Sequence, residues 1–243
     1  MQTPHYDHVP HFVIFEGVDG VGKTTLSRLL ASYYRRFVLD VPSTLYFDSF
    51  PGAHPGTLGE WVYRYHHGRS LEAPPPESVA APALQLLHVA AHVDTILNRI
   101  TPTLAQGGCV ILDRYWWSTY AYSRLSLPIA QVQHLVGAER IFWEALERPV
   151  AVYLTRAVSL KADELDQSTH AALDTYYDEV VTQERQAGRR VLHLRNDGPI
   201  EATWKTLLSE LSLPYRSRMD AVQLPLGWQG ATLPYAEEAG ERA

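Results

Sequence analysis

Gly17-Val18-Asp19-Gly20-Val21-Gly22-Lys23-Thr24 fits the pattern G-x-x-x-x-G-K-[ST], between an apolar run of strand length, HFVIFE, and a helical run, KTTLSRLLASYY. Glycines let such a loop wrap closely, so that successive backbone N–H groups point at phosphate oxygens, and the positive end of the following helix adds to the attraction. The cradle comprises Gly17, Asp19, Gly20, Val21, Gly22, Lys23, Thr24 and Thr25, with Lys23 neutralising the β and γ phosphates of ATP and Thr24 holding Mg²⁺. Beyond it the chain alternates: TLYFDSF, CVILDR, PVAVYLT and RRVLHLR read as strands, with FVLDV as a further extended piece. Helical patterns lie between them, including a long helix from about Ser78 to Gln106 with an apolar stripe of Leu86, Val89, Val93, Ile96, Ile100 and Leu104. Strands that are apolar throughout and alternate with helices predict a parallel sheet covered on both faces.

In such a sheet the ligand crevice lies at the carboxyl ends of the strands. CVILDR therefore delivers Asp113 and Arg114 to the same crevice as the glycine-rich loop, the aspartate to orient Mg²⁺ or its water and the arginine to clamp a transferring phosphoryl group. The 243 residues carry 21 basic and 27 acidic side chains, a formal charge of −6, which speaks against a nucleic-acid backbone as the main partner. Cys109 is the only cysteine, so there is no disulfide framework, and a reducing, cytoplasmic setting is expected. No apolar run approaches the ~18 residues of a membrane span. The expected organisation is a flexible tail over 1–10, one P-loop domain over 11–213 with a short lid near 156–170, and a C-terminal tail over 214–243.

FEGVDGVGKTT and DRYWWSTYAY resemble the two signature motifs of the thymidylate kinase family, the second matching D-R-Y-x-x-S-x-x-A-Y at every fixed position. The resemblance covers roughly His11 to Leu211. It implies a three-layer P-loop NTPase fold with a five-stranded parallel sheet, and Mg²⁺-dependent transfer of the ATP γ-phosphate to a deoxynucleoside monophosphate, thymidylate or a related pyrimidine nucleotide. It further implies that Asp19 sits near the acceptor's sugar and phosphate, that Arg114 bridges the two phosphates, and that Ser118 and Tyr122 line the acceptor pocket, Tyr122 where a 2′-hydroxyl would go. Members of the family are commonly homodimers.

The departures from the family lie on the acceptor side. The loop that begins with Phe50-Pro51 reads FPGAHPGTLGE and lacks the family's phosphate-gripping arginine, leaving His54 as the nearest candidate. The family's L-L-F-x-x-x-R, which stacks on the base and bonds its edge, reads LLHVAAH here, with His88 and His92 four apart on one helical face. Their spacing also suits a metal pair, but no third ligand is near in sequence. The lid offers only Arg156 and Lys161 as basic residues over the phosphates, and Arg195-Asn196-Asp197-Gly198 is similar to the family's adenine-contacting loop, with Asn196 as the contact. An alternative acceptor, a deoxynucleoside or a modified nucleotide with a free hydroxyl, needs a base, for which Glu16 is placed beside the loop. A GTPase switch is a third reading, and the D-x-x-G and N-K-x-D it requires do not occur in suitable places.

Overall fold

A computed structural model describes residues 9–39, 44–50, 52, 54–66, 79–160 and 166–222. Strands β1 (Phe12–Glu16), β2 (Leu45–Ser49), β3 (Cys109–Asp113), β4 (Val150–Thr155) and β5 (Val191–Arg195) form one parallel sheet in the order β2-β3-β1-β4-β5. β1 and β3 are buried at every position and β4 at all but its last, the pattern of strands covered on both faces. The cover comes from α1 (Lys23–Tyr33), α2 (Leu58–His66), α3 (Ala81–Thr95), α4 (Thr101–Ala105), α5 (Trp116–Ser123), α6 (Ile129–Glu144), α7 (Gln167–Gln186), α8 (Ile200–Glu210) and α9 (Arg218–Val222). Register sets the crevice: Phe15 pairs with Asp113, Glu16 with Tyr153 and Ser49 with Asp113, so the carboxyl ends of β1, β2, β3 and β4 lie level.

Parts of the sequence reading change. FVLDV is not a strand where it is described: Phe37 and Val38 close a wider π-helical turn, Tyr34–Val38, that prolongs α1. Phe37 packs on Tyr33 at helical spacing, ring centroids 5.1 Å apart, so its apolar character serves a helix face rather than the sheet. The long helix forms as expected from Ala81 to Ala105, with a second π-helical turn at Ile96–Ile100. Its buried side differs slightly, because Leu86 is exposed whereas Ala91, His92 and Thr95 are buried.

Packing also extends past both expected boundaries. Val9 is buried and the Pro10 carbonyl accepts from the Tyr34 hydroxyl at 2.7 Å. At the other end, the Tyr33 hydroxyl donates to the Pro214 carbonyl and Trp204 Nε1 to the Arg216 carbonyl, and α9 buries Ala221. Most of both expected tails, 1–8 and 223–243, lies outside the described residues. No helix among the described residues is long and apolar enough to cross a membrane.

The glycine-rich loop leaves β1 through Gly17, whose φ of +139° is open to glycine but strained for any other residue. A Cβ there would run into the Leu154 carbonyl of β4. Gly17→Ala is therefore expected to destabilise the protein by more than about 2 kcal/mol, read as a lowered midpoint in chemical or thermal unfolding.

Candidate active site

Lys23 stands in the first turn of α1, buried, and its ammonium donates to the carbonyls of Gly17 at 2.8 Å and Val18 at 2.9 Å. Asp19 Oδ1 lies 3.6 Å from the same nitrogen. Burial, aided by the nearby Arg114 charge, lowers the Lys23 pKa to about 8. Thr24 and Thr25 are exposed at the helix start.

Two neighbours hold the loop in this shape. Asn196, after β5, donates from Nδ2 to the Val21 carbonyl at 2.8 Å and accepts from Thr203. Gly22, at φ +102°, admits this brace, since a Cβ would lie 2.5 Å from Asn196 Nδ2. From the segment after β4, Ser159 Oγ donates to the Asp19 carbonyl and Leu160 N to the Gly20 carbonyl.

Across the crevice, Thr24 Oγ1 donates to Asp113 Oδ2 at 2.5 Å. Asp113 Oδ1 is buried and has no hydrogen-bond partner among the described residues. A hydroxyl and a carboxylate with an unmatched oxygen suit a small hard cation, so these residues fit Mg²⁺. Arg114 follows with φ +84°, a strained value for a residue with a side chain. Its guanidinium bonds Asp19 Oδ1 and donates to Ser118 Oγ, while the Tyr122 hydroxyl donates to Asp19 Oδ2 at 2.8 Å. Burial is the largest single influence and opposes the Arg114 charge, but Asp19, Tyr122, Tyr177 and Asp113 together outweigh it and hold the pKa well above its usual value.

Glu16 fixes this corner. It is fully buried, and its Oε1 accepts from the backbone N–H of Tyr115 at 2.7 Å and of Ser118 at 3.0 Å. Its Oε2 accepts from Ser118 Oγ at 2.8 Å, with the Tyr177 hydroxyl 3.3 Å away. A carboxylate at the start of α5 is favoured by the helix dipole and its unpaired N–H groups. Burial nonetheless pushes its pKa up to about 7.

Lys23, Thr24, Asp19, Asp113, Arg114, Ser118 and Tyr122 thus gather as expected, whereas several other candidates serve the architecture. The expectation for Glu16 as an acceptor base is corrected, because both its oxygens already accept from Tyr115, Ser118 and Tyr177. Phe50 is buried and spends its ring on His92, stacked with ring centroids 4.0 Å apart. His92 is buried as well, its Nδ1 2.6 Å from Glu139 Oε1, so it does not read a base edge. His54 turns its Nε2 toward Asp48 Oδ2 at 3.4 Å and rests near Tyr46, because the turn after β2 folds the loop back.

Asn196 has both ends of its amide occupied and braces the loop rather than touching a base. Arg156 donates to the carbonyls of Val158 and Asn196, tying the ends of β4 and β5 together instead of reaching over phosphates. His88 is half-buried one turn before His92. Pro51 and Lys161, and lid residues 161–165 with it, lie outside the described residues. No group of three or more metal-ligating side chains of the His, Cys, Asp and Glu type occurs among the described residues. Three contributors escaped the sequence reading: Tyr177, Ser159 and Glu139. Only Glu139 left a signal, an acid in the apolar register Val132, Val136, Trp143 of α6.

A family model for thymidylate kinase matches residues 57–181. Thymidylate kinase from Pseudomonas putida (strain GB-1) is 31% identical over 204 residues, covering 81% of this chain and 92% of its own. Thymidylate kinase from Thermomicrobium roseum is 28% identical over 221 residues, covering 85% and 98%. Among solved structures, a crystal structure of thymidylate kinase from Ehrlichia chaffeensis superposes with a TM-score of 0.64 at 19% identity over 82% of this chain, a likeness of fold.

Glu16 generates a pH signature. Its folded pKa, about 7, lies above the ordinary 4.5, so between those values the folded state holds the extra proton. The Glu16 contribution to stability is therefore greatest below pH 4.5, declines as pH rises to about 7 and is level above it. Glu16→Gln, which keeps an acceptor for Tyr115 and Ser118, is expected to flatten that slope in unfolding measurements across pH 4.5–7.

Proposed function

We propose that this chain, which belongs to the thymidylate kinase family, transfers the γ-phosphoryl group of ATP to thymidylate. The observation that carries the reading is the convergence in one crevice of Lys23 and Thr24 from the glycine-rich loop with Asp113, Arg114 and Tyr122 from the β3 corner. Loop N–H groups and the start of α1 bind the donor phosphates, and Lys23 exchanges its two carbonyl partners for phosphate oxygens. Its lowered pKa reports the desolvation that makes such a cation gain from an anionic ligand. Bound Mg²⁺, held by Thr24 and Asp113, would neutralise charge on the β and γ oxygens.

Arg114 is always charged and its fork can span donor and acceptor phosphates, stabilising charge in flight. Asp19 holds that fork while taking the Tyr122 hydroxyl, so sugar recognition and phosphate clamping share one carboxylate. The acceptor phosphate is already an anion, so no protein base is needed, in keeping with Glu16 being committed elsewhere. With His92 turned to Glu139, His88 is the histidine assigned to the base. A homodimer in the cytoplasm, with nucleotides rather than nucleic acid as partners, completes this reading.

The test is a transfer assay with ATP and Mg²⁺ against deoxy- and ribonucleoside monophosphates and the matching nucleosides, products read by mass. Thymidylate is expected to be the best acceptor, and phosphorylation of nucleosides alone would overturn the reading. Arg114→Ala and Lys23→Met are each expected to fold and to lower turnover by about 10³-fold. Near-normal turnover in folded Arg114→Ala protein would remove the clamp assignment.

A further inference from the structure

Glu139, on α6, is a carboxyl group with no exposure to solvent. Its Oε1 meets His92 Nδ1 of α3 at 2.6 Å and accepts from Trp143 Nε1 at 2.8 Å, and its Oε2 accepts from Thr119 of α5 at 3.4 Å. A buried acid surrounded by donors from three helices is an expensive feature unless every donor is matched, as here. What the cluster grips is more informative. The His92 ring stacks on Phe50, and the Trp143 ring packs edge-on against Phe50 at 5.3 Å and against Tyr115 at 4.5 Å.

Phe50 begins the loop after β2, and Tyr115 directly follows Arg114. Phe50 N also donates to the Asp113 carbonyl at 2.8 Å, joining the loop to the β3 corner. The root of the acceptor-side loop and the root of the clamp therefore rest on two rings, and Glu139 orients both. Resting on the proposed thymidylate kinase activity, we infer that Glu139 is a positioning residue for the acceptor nucleotide, acting through His92, Trp143 and Phe50 without touching it. The donor side has its own supports, Asn196 and Ser159, so the effect is confined to the acceptor.

The experiment measures kcat and both KM values for Glu139→Met, Glu139→Gln and His92→Gln. Methionine fills the space but offers no comparable acceptor; the Gln variant restores a carbonyl oxygen for His92 and Trp143. Glu139→Met is expected to raise the acceptor KM by about ten-fold, the scale of leaving the one obligatory donor, the Trp143 indole N–H, unmatched while His92 changes tautomer and the Thr119 hydroxyl rotates, with ATP KM within two-fold. Glu139→Gln is expected to return the acceptor KM to within about three-fold of the parent.

If Glu139→Met does not fold, His92→Gln decides, since it can still donate to Glu139 but removes the ring under Phe50. Its acceptor KM is expected to rise by a common factor for thymidylate and for other pyrimidine monophosphates. A rise for one base only would mean that His92 touches the base, and would overturn the inference. Unchanged acceptor KM in folded variants, or acceptor and ATP KM moving together, would also overturn it while leaving the kinase reading intact. A parent enzyme that phosphorylates no monophosphate would overturn both.

Discussion

The Glu16 carboxyl group, locked under the start of α5, is the constraint on which the site rests. β1 ends at this residue and turns straight into the glycine-rich loop, so whatever Glu16 grips is set in register with the phosphate cradle. It grips Tyr115 and Ser118, one and four residues past Arg114. The strained Arg114 backbone survives between two anchors, its own N–H on the Phe15 carbonyl and the next on Glu16. A strained residue held from both sides places its guanidinium with little freedom, which is what a charge clamp requires.

Around that corner the charges are arranged to be exchanged. Lys23 rests on loop carbonyls, Arg114 on Asp19, and Thr24 on Asp113. Each contact occupies a charged or polar group that can be traded for a phosphate or metal contact of greater charge. The Asp113 oxygen that remains without a hydrogen-bond partner marks where the trade is incomplete.

On both the acceptor and the donor side, residues with binding chemistry have been drawn into the framework. Phe50, His92, Asn196 and Arg156 each carry groups that suit a nucleotide, and each spends them on a neighbouring helix or loop. The cause is spatial: α3 approaches α6 closely enough for His92 to reach Glu139, and the loops after β4 and β5 lie close enough for Arg156 to reach the Asn196 carbonyl. The groups that remain gathered at the crevice are a smaller set, centred on Asp19, Arg114 and Tyr122.

Local pattern was enough for the glycine-rich loop, the alternating elements and the DRY corner, because each is encoded within a few consecutive residues: glycine spacing, apolar runs and a fixed motif at a strand end. Even there a short apolar run misled, since Phe37 packs as readily along a helix as in a sheet. The roles of Glu16, His92, Glu139 and Asn196 depend on partners 102, 47 and 175 positions away, such as Ser118, Glu139 and Val21. Spacing shows at most that Glu139 sits in an apolar register, never which distant residue a side chain meets, and whether a polar side chain faces a ligand or a buried partner is set by how helices pack. The chemistry available was legible in the residues; which polar groups pair with one another was decided by tertiary contacts, because only folding determines which of them lose water and must find each other.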